Sequence, residues 1–272
     1  MNERYELIPS DLMRALAEDR ASGKLPFCVV ATVGSTSCTS IDPIARIADI
    51  CESERLWLHV DAAHGGAAAG VPEMKWILDG AERADSFVIN PHKWLFVPLD
   101  CSVLYLRKPD ILRRAMSVVP EYLNTPDRNK SVDFMDYGIP LGRRFRALKL
   151  WFVLRYFGSA GIQNRIREHI RLGRLFSGWV DANPCLELLA PVPLSTVCFR
   201  AILSDAQSEK ELDILNETLL KRLNHSGRFF LSHTKLAGRY AVRVVVSHIN
   251  SNEENLRSLF AMIEDEVSEL CS

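Results

Sequence analysis

The chain has 272 residues, of which 47% are hydrophobic and 25% charged, so it can bury a full core in one large domain or two unequal ones. A net charge of -1 with no long basic run argues against nucleic acid or anionic lipid as a partner, and favours a small molecule or another protein chain. The seven cysteines include no Cys-x-x-Cys pair, and no apolar run is long enough to span a membrane. We therefore expect reduced thiols, no membrane segment and a cytoplasmic protein.

Helical and extended patterns alternate along the first hundred residues. They predict three helices and four strands: helices over residues 10–22, 42–54 and 74–78, and strands over 27–33, 56–60, 85–89 and 102–106. Strands that are apolar on both faces and alternate with helices are typical of a mostly parallel sheet with helices on both faces. The expected fold class is therefore α/β.

The pattern changes after residue 144. Nearly every residue from 145 to 157 is apolar, which predicts a buried helix that bridges two parts of the molecule. A smaller α+β region without a catalytic motif should follow. The bridging part continues with a helix over 165–180, and the smaller region has predicted strands over 196–201, 229–231 and 240–246 and predicted helices over 209–224 and from about 253. We expect three parts: residues 1–144, the bridging helices 145–180, and a small C-terminal domain over 181–272.

Polar residues stand where three of the predicted strands end. Thr36 follows the first strand, Asp61 ends the second, and Lys93 follows the third. Ligands of open α/β sheets bind beyond the carboxyl ends of the strands. If these strands are parallel neighbours, one hydroxyl, one carboxylate and one amine meet at a single crevice.

Lys93 and Asp61 each allow two interpretations. A lysine after a strand is usually solvated, but Lys93 lies between apolar runs, and burial would favour a neutral, nucleophilic amine of the kind that forms an imine with an aldehyde. Asp61 is either a helix or turn cap, or a carboxylate that needs a cationic partner. The protonated pyridine nitrogen of an electron-sink cofactor would be such a partner.

Histidines near Asp61 raise the alternative of a metal site. His59, Asp61, His64 and His92 supply suitable ligand atoms, but their spacing matches no standard pattern and leaves Lys93 without a role. The simpler interpretation is that His59 forms a hydrogen bond in the core or orients Asp61. We therefore assign no metal.

Two motifs carry a resemblance to a known family. "HVDAAHGG" at residues 59–66 and "ADSFVINPHKW" at 84–94 closely resemble the group II pyridoxal phosphate-dependent decarboxylases, the family of aromatic-L-amino-acid decarboxylase. The resemblance continues through "VATVGSTSCTSID", "DCSVLYLRK", "PEYL" and "IPLGRRFRALKLWFVLRYFG". It implies that residues 1–144 are the C-terminal portion of a fold-type I large domain that binds pyridoxal 5'-phosphate. The cofactor-lysine signature of the family is met by Ser86, Phe87, Lys93, Trp94, Leu95, Leu99, Cys101, Leu104 and Arg107.

The resemblance also implies a role for each matching residue. Lys93 would form the Schiff base with the cofactor, and Asp61 would pair with its pyridine nitrogen. Tyr122 would lie on a loop that closes over the site and would take part in protonating the carbanion; a tyrosine there favours simple decarboxylation over an oxidative branch. The remaining matches are cofactor contacts: Thr36, Ala63, Asn90, His92 and, near the phosphate and across a dimer interface, Gly142.

Departures from the family leave two hypotheses. Leu99 stands where many animal members carry phenylalanine, and Ser35 and His64 also differ, so the substrate is open. The family's N-terminal part, with its dimerising arm, phosphate loop and ring-stacking histidine, is expected to be missing. The chain is then either a homodimeric decarboxylase of an L-amino acid, with aromatic ones favoured, or a truncated, catalytically impaired fragment or pseudoenzyme.

Overall fold

Four strands near the N-terminus form one sheet in the order β1-β2-β3-β4. In this computed structural model, which describes residues 1–118, 132–202 and 208–271, they are β1 (Cys28–Thr32), β2 (Trp57–Asp61), β3 (Ser86–Ile89) and β4 (Val103–Leu106). The first three strands are parallel and β4 is antiparallel to β3. The mixed, mostly parallel sheet confirms the predicted fold class.

Two helices bury one face of this sheet. Helices α1 (Pro9–Ala21) and α2 (Ile44–Glu54) share a core cluster with the strand residues Val29, Leu58 and Val60. The side chains of these strand residues alternate along each strand with side chains on the opposite face of the sheet, because successive residues of a strand point to opposite sides. On that second face Val30 and Leu104 are exposed. The described helices therefore cover one face far more completely than the other.

Shorter elements connect the strands. The predicted helix over residues 74–78 is a 3-10 helix, Pro72–Leu78, and it follows another, Gly65–Gly70. The short helix α3 (Pro91–Trp94) follows β3, and α4 (Pro109–Met116) follows β4. The described residues also form the 3-10 helices Ala81–Arg83 and Phe134–Tyr137.

The helix α5 (Arg146–Ala182) joins two hydrophobic cores. It is interrupted at Gly158, whose φ of 65° lies in the left-handed region that residues with a side chain rarely adopt. The two helices predicted here are therefore one element with a break. After the break, Ile162 and Ile166 pack into the first core, whereas Phe176 and Val180 pack into the second.

The first half of α5 corrects one prediction. Residues 145–157 were expected to be buried, but Trp151 is 53% exposed and Tyr156 is 82% exposed. Apolar composition predicted burial correctly only where another element lies against the helix, as it does after Gly158. The apolar side chains of the first half instead form a surface with Phe145, Leu148 and Phe152.

The C-terminal region contains a second sheet, which is antiparallel and has the order β5-β6-β8-β7. Its strands are β5 (Leu186–Leu188), β6 (Thr196–Ala201), β7 (Ser232–Leu236) and β8 (Arg239–Val245), accompanied by helices α6 (Glu209–His225) and α7 (Glu253–Cys271). The strand predicted over 229–231 is wrong, since β7 begins at Ser232. Both backbone groups of Leu231 bond to the side chain of Asn224 rather than to a strand.

Candidate active site

The three parallel strands end level with one another at one edge of the first sheet. Thr32 pairs with Asp61, and Asp61 pairs with Val88. The loop after β1 lies directly against the loop after β2, because a Cβ on Gly34 would stand 2.9 Å from the backbone nitrogen of Gly65. This close approach keeps Thr36, which is exposed, in the same group of loops as the end of β2.

Asp61 is only partly buried and its carboxylate is incompletely paired. Its Oδ1 accepts a hydrogen bond of 3.0 Å from the backbone nitrogen of Ala63. In the part of the chain that the structure describes, no arginine, lysine or histidine forms an ion pair with this carboxylate. The carbonyl of Ala63 accepts in turn from the backbone nitrogen of Asn90, at 3.1 Å. Asp61, Ala63 and Asn90 are therefore brought together as predicted, with one carboxylate oxygen still available.

Lys93 lies on α3, whose first turn is closed by a 2.9 Å hydrogen bond from the Lys93 nitrogen to the Asn90 carbonyl. Its side chain is exposed, so the predicted burial of this lysine is wrong. The reason is directional: neighbouring residues of a helix point to different sides, and the next residue, Trp94, is fully buried while Lys93 faces outward. The amine is accessible to a ligand, and its reactivity cannot be ascribed to an apolar enclosure.

Trp94 contacts two histidine rings. The ring of His64 stacks on it at a centroid distance of 4.9 Å with an interplanar angle of 2°, and the ring of His169 lies nearly parallel to it at 6.4 Å. Trp94 Nε1 also donates a 3.0 Å hydrogen bond to His169 Nδ1. Because Trp94 directly follows Lys93, these contacts fix the base of the short helix that carries the lysine.

The surroundings of His64 change the pKa of its imidazole. Burial, together with the smaller effect of the positive charges of Lys93 and Arg243, lowers the pKa of His64 to about 4. Its Nε2 is buried without a hydrogen-bond partner among the described residues. His64 is therefore a neutral imidazole that lies within electrostatic reach of two cations.

His92 is held by the backbone of Cys101. Its Nδ1 accepts a 3.0 Å hydrogen bond from the Cys101 nitrogen and lies 2.6 Å from the Cys101 oxygen. Nearby, the Ser102 hydroxyl donates to Asn90 Oδ1 at 2.6 Å. The loop that follows α3 thus returns to two of the residues that directly precede the lysine.

Arg243 is the residue that sequence reasoning missed. It lies on β8 and is partly buried, yet its Nε reaches across to donate to the Ser37 carbonyl at 3.0 Å, next to Thr36. Its other described partner is the Ser232 hydroxyl, at 3.2 Å, and burial lowers its pKa. A guanidinium whose described partners are a carbonyl and a hydroxyl retains donors for an anion. The signal in the sequence was a single arginine inside the apolar strand "YAVRVVV".

Two predicted site residues are not placed at this edge. Gly142 is exposed, and a Cβ built there would meet nothing within 4 Å. Tyr122 lies outside the described residues. Their assigned roles stay predictions.

The alternative metal site is not assembled. No group of three or more potential ligands that could hold a metal ion occurs within residues 1–118, 132–202 and 208–271. His59 Nδ1 instead lies 2.7 Å from the Ser86 hydroxyl, which is the hydrogen-bonding role that the simpler interpretation gave it. Across the same described ranges, no helix is both long and apolar enough to cross a membrane.

A carboxylate and an amine beyond the ends of parallel strands define a site suited to a cofactor that carries both a ring cation and an aldehyde. Comparison with known proteins agrees with this class. Residues 1–202 match the pyridoxal-dependent decarboxylase conserved domain. The chain belongs to the pyridoxal-dependent decarboxylase family.

Individual relatives cover nearly all of the chain. A tryptophan decarboxylase of Camptotheca acuminata is 40% identical over 97% of this chain and 53% of its own length. A phenylacetaldehyde synthase of Arabidopsis thaliana is also 40% identical, over 98% of this chain and 54% of its own length. The crystal structure of Oryza sativa TDC with PLP and tryptamine superposes with a TM-score of 0.93 at 36% identity, covering 99% of this chain and 56% of that one. The chain therefore spans about half the length of the relatives it matches.

Proposed function

We propose that this chain takes part in the pyridoxal phosphate-dependent decarboxylation of an L-amino acid, with aromatic amino acids as the favoured substrates. The observation that carries the proposal is the incompletely paired carboxylate of Asp61, which lies at the same sheet edge as the accessible amine of Lys93. Partial burial of a carboxylate without a cationic partner is unfavourable in a folded protein. A ligand that carries a positive charge would therefore pair with Asp61.

The residues present fit pyridoxal 5'-phosphate. Asp61 would hold a proton on the ring nitrogen, since a nearby carboxylate favours the charged form of that nitrogen. Lys93 would supply the amine that bonds to the aldehyde. The cofactor, when bound, supplies a ring that accepts the electron pair left behind when carbon dioxide departs.

The surrounding residues would orient these two groups. Ala63 fixes one carboxylate oxygen of Asp61, and Asn90 fixes the start of the helix that carries Lys93. Thr36 and His92 border the same edge and would contact the cofactor, while Gly142 and Tyr122 keep the roles implied by the resemblance. Such fixed positions reduce the entropy lost when reactants are aligned.

The substrate class rests on the relatives. Tryptophan and tyrosine decarboxylases are among the proteins that this chain matches at 38 to 40% identity. The match to a phenylacetaldehyde synthase at 40% leaves the oxidative branch as a competing outcome, against which the predicted role of Tyr122 argues.

A homodimer completes the proposal. The first half of α5 presents Phe145, Leu148, Trp151 and Phe152 to solvent, and exposed apolar patches of this kind mark protein contacts.

A cytoplasmic location follows from the expected reduced thiols. The described cysteines, apart from Cys271, whose side chain is not described, are free.

The second candidate is an impaired fragment or pseudoenzyme. One observation favours it: Val30 and Leu104 are exposed on the second face of the first sheet, a face that a complete α/β domain covers. A chain of this kind would keep Asp61 and Lys93 but would hold the cofactor weakly.

Turnover by the purified chain distinguishes the two candidates. The chain would be supplied with pyridoxal 5'-phosphate and with carboxyl-labelled tryptophan, tyrosine or phenylalanine, and released carbon dioxide and the organic product would be measured. Decarboxylation predicts carbon dioxide with one equivalent of amine, lost in Lys93→Ala and retained in Lys75→Ala, which alters another exposed lysine. An aldehyde in place of the amine would contradict simple decarboxylation, and no release from any substrate by folded chain would support the impaired fragment.

A further inference from the structure

The start of α5 grips the loop that follows the lysine. Lys149 Nζ donates to the carbonyl of Pro98 and to that of Asp100, each at 2.9 Å. One turn earlier, Arg146 Nε donates to Asp100 Oδ2 at 2.9 Å. The guanidinium of Arg146 also lowers the pKa of Asp100, chiefly through this hydrogen bond. Two cationic side chains of one helix therefore hold a three-residue stretch of loop.

Other contacts hold the two ends of this loop, since the Val97 nitrogen donates to the Pro91 carbonyl at 3.2 Å and the side chains of Val97 and Cys101 are buried, but residues 98–100 between them have no described backbone–backbone hydrogen bond. Residues 95–102 belong to no helix or strand, so they lack the regular backbone hydrogen bonds of such elements. The two carbonyls that Lys149 binds flank Leu99, whose side chain is 80% exposed. Hydrogen bonds to a charged donor are stronger than neutral ones, so Lys149, with two such bonds, and Arg146, with one, tether this stretch to α5.

The tether reaches the lysine in two steps. Cys101 directly follows the gripped stretch, and its backbone nitrogen donates to His92 Nδ1 at 3.0 Å. The backbone nitrogen of His92 donates back to the Cys101 carbonyl at 3.3 Å. His92 is the residue before Lys93, so displacement of the loop would move the helix turn that carries the amine.

We propose that Lys149 is a positioning residue for Lys93, acting through the loop of residues 98–101 and His92. The inference rests on the proposed role of Lys93 as the cofactor-binding lysine, and it assigns to α5 a function besides joining the two cores. It also places Leu99 on a tethered loop, so that the same contact sets how that side chain is presented at the site. Lys149 itself touches neither Asp61 nor Lys93 among the described hydrogen bonds and ion pairs.

The test compares Lys149→Met, which keeps the length of the side chain but removes its donors, with Lys149→Arg, which restores a charged donor. Lys75→Met is the matched control, because Lys75 is exposed and has no described hydrogen bond or ion pair. Each full-length chain is incubated with pyridoxal 5'-phosphate and reduced with borohydride, and the rate of labelling at Lys93 is followed by peptide mass spectrometry.

We expect Lys149→Met to label Lys93 about tenfold more slowly, because only part of the effect of losing two hydrogen bonds from a charged donor is transmitted to the lysine. Lys149→Arg should recover most of the rate, and Lys75→Met should match the unaltered chain. Labelling rates are compared at equal fractions of folded protein, so that a general loss of stability is not mistaken for slower labelling of Lys93. Equal labelling of Lys149→Met and the unaltered chain would overturn the inference.

A second measurement separates this inference from the proposed function. Hydrogen exchange at the Cys101 amide reports the loop without any cofactor, and it should quicken in Lys149→Met. The milder variant Asp100→Asn, which weakens only the Arg146 contact, should give a smaller change and serves if Lys149→Met does not fold. Failure of the unaltered chain to label Lys93 would refute the proposed function, whereas unchanged exchange at Cys101 in both variants would refute the tether.

Discussion

The two sheets differ in how completely their charged side chains are paired. In the C-terminal sheet, the buried Arg200 donates to Glu187 at 2.6 Å and to Glu209 at 2.7 Å. At the carboxyl edge of the N-terminal sheet, Asp61 has one backbone donor and no described cation, and Lys93 faces outward. The first arrangement is closed, whereas the second leaves hydrogen-bonding capacity for a ligand.

This difference locates the chemistry better than any count of polar residues. Buried polar groups in folded proteins are nearly always paired, so a partly buried carboxylate short of partners at the end of a strand needs an explanation. Arg243 belongs to the closed sheet but reaches Ser37 on the open side, and its hydrogen-bond partners among the described residues are neutral. The edge of the first sheet is therefore where ligand binding should be sought, and variants of the two regions should fail in different ways.

Asp61→Ala should give the largest effect of any variant outside Lys93. Without the carboxylate the ring nitrogen loses its stabilising partner, so turnover should fall below detection while some labelling of Lys93 survives. The free energy of unfolding should change by no more than about 1 kcal/mol, because only one hydrogen bond is lost. Steady-state assays measure the turnover, and urea unfolding measures the free energy of unfolding. Turnover equal to that of the unaltered chain would refute the assigned role.

His64 should make the stability of the site region depend on pH. Its pKa falls to about 4 in the folded chain, chiefly through burial, and lies near 6.5 when unfolded. The unfolded state therefore binds the proton first, so stability should be full above pH 6.5 and fall as the pH drops towards 4, by at most about 3 kcal/mol.

The matched variant for this effect is His64→Phe, which can keep the stacking on Trp94 but cannot bind a proton. Urea unfolding between pH 4 and 7 should show a smaller acid loss in His64→Phe than in the unaltered chain. Parallel curves for the two proteins would mean that His64 is not the group responsible.

Asn216→Ala should lower the stability of the closed C-terminal sheet without changing the site. Asn216 is fully buried, and its side chain bonds to both backbone groups of Ala201. Removing it leaves those groups unsatisfied, so the free energy of unfolding should fall by about 2 kcal/mol. Labelling of Lys93 in the folded fraction should not change. A selective loss of labelling would break the distinction between the two sheets.

Trp151→Ser should have the smallest effect. The indole is 53% exposed on the first half of α5, so the stability of the isolated chain should change by less than about 0.5 kcal/mol. Sedimentation would show whether self-association weakens, as the proposed dimer requires. A loss of more than about 2 kcal/mol in a monomeric chain would show that the indole already packs within it.

The sequence predicted the open edge of the first sheet because its signals are local. Apolar strands that end on polar residues are visible in "LWLHVDAA" and "SFVINPHKW", and the rule about strand ends then places Asp61 and Lys93 at the same edge, while the family resemblance adds Ala63 and Asn90. The hydrogen bonds from Ala63 to Asp61 and from Asn90 to Ala63 agree with that placement.

Three features could not be predicted, two because they depend on distant packing and one because it depends on the direction of a single side chain. Arg243 contacts a carbonyl 206 residues away along the chain. The exposure of Trp151 depends on whether another element covers the helix, which apolar composition does not specify. The exposure of Lys93 depends on the direction of one side chain on a helix of four residues, and sequence neighbours there point to different sides.

Reductive labelling of the unaltered chain tests the central claim most directly. After incubation with pyridoxal 5'-phosphate and reduction with borohydride, peptide mapping should find one cofactor per chain, attached to Lys93, and Asp61→Ala should reduce but not move the label. Labelling spread over the exposed lysines, or none at Lys93 in folded chain, would contradict the account.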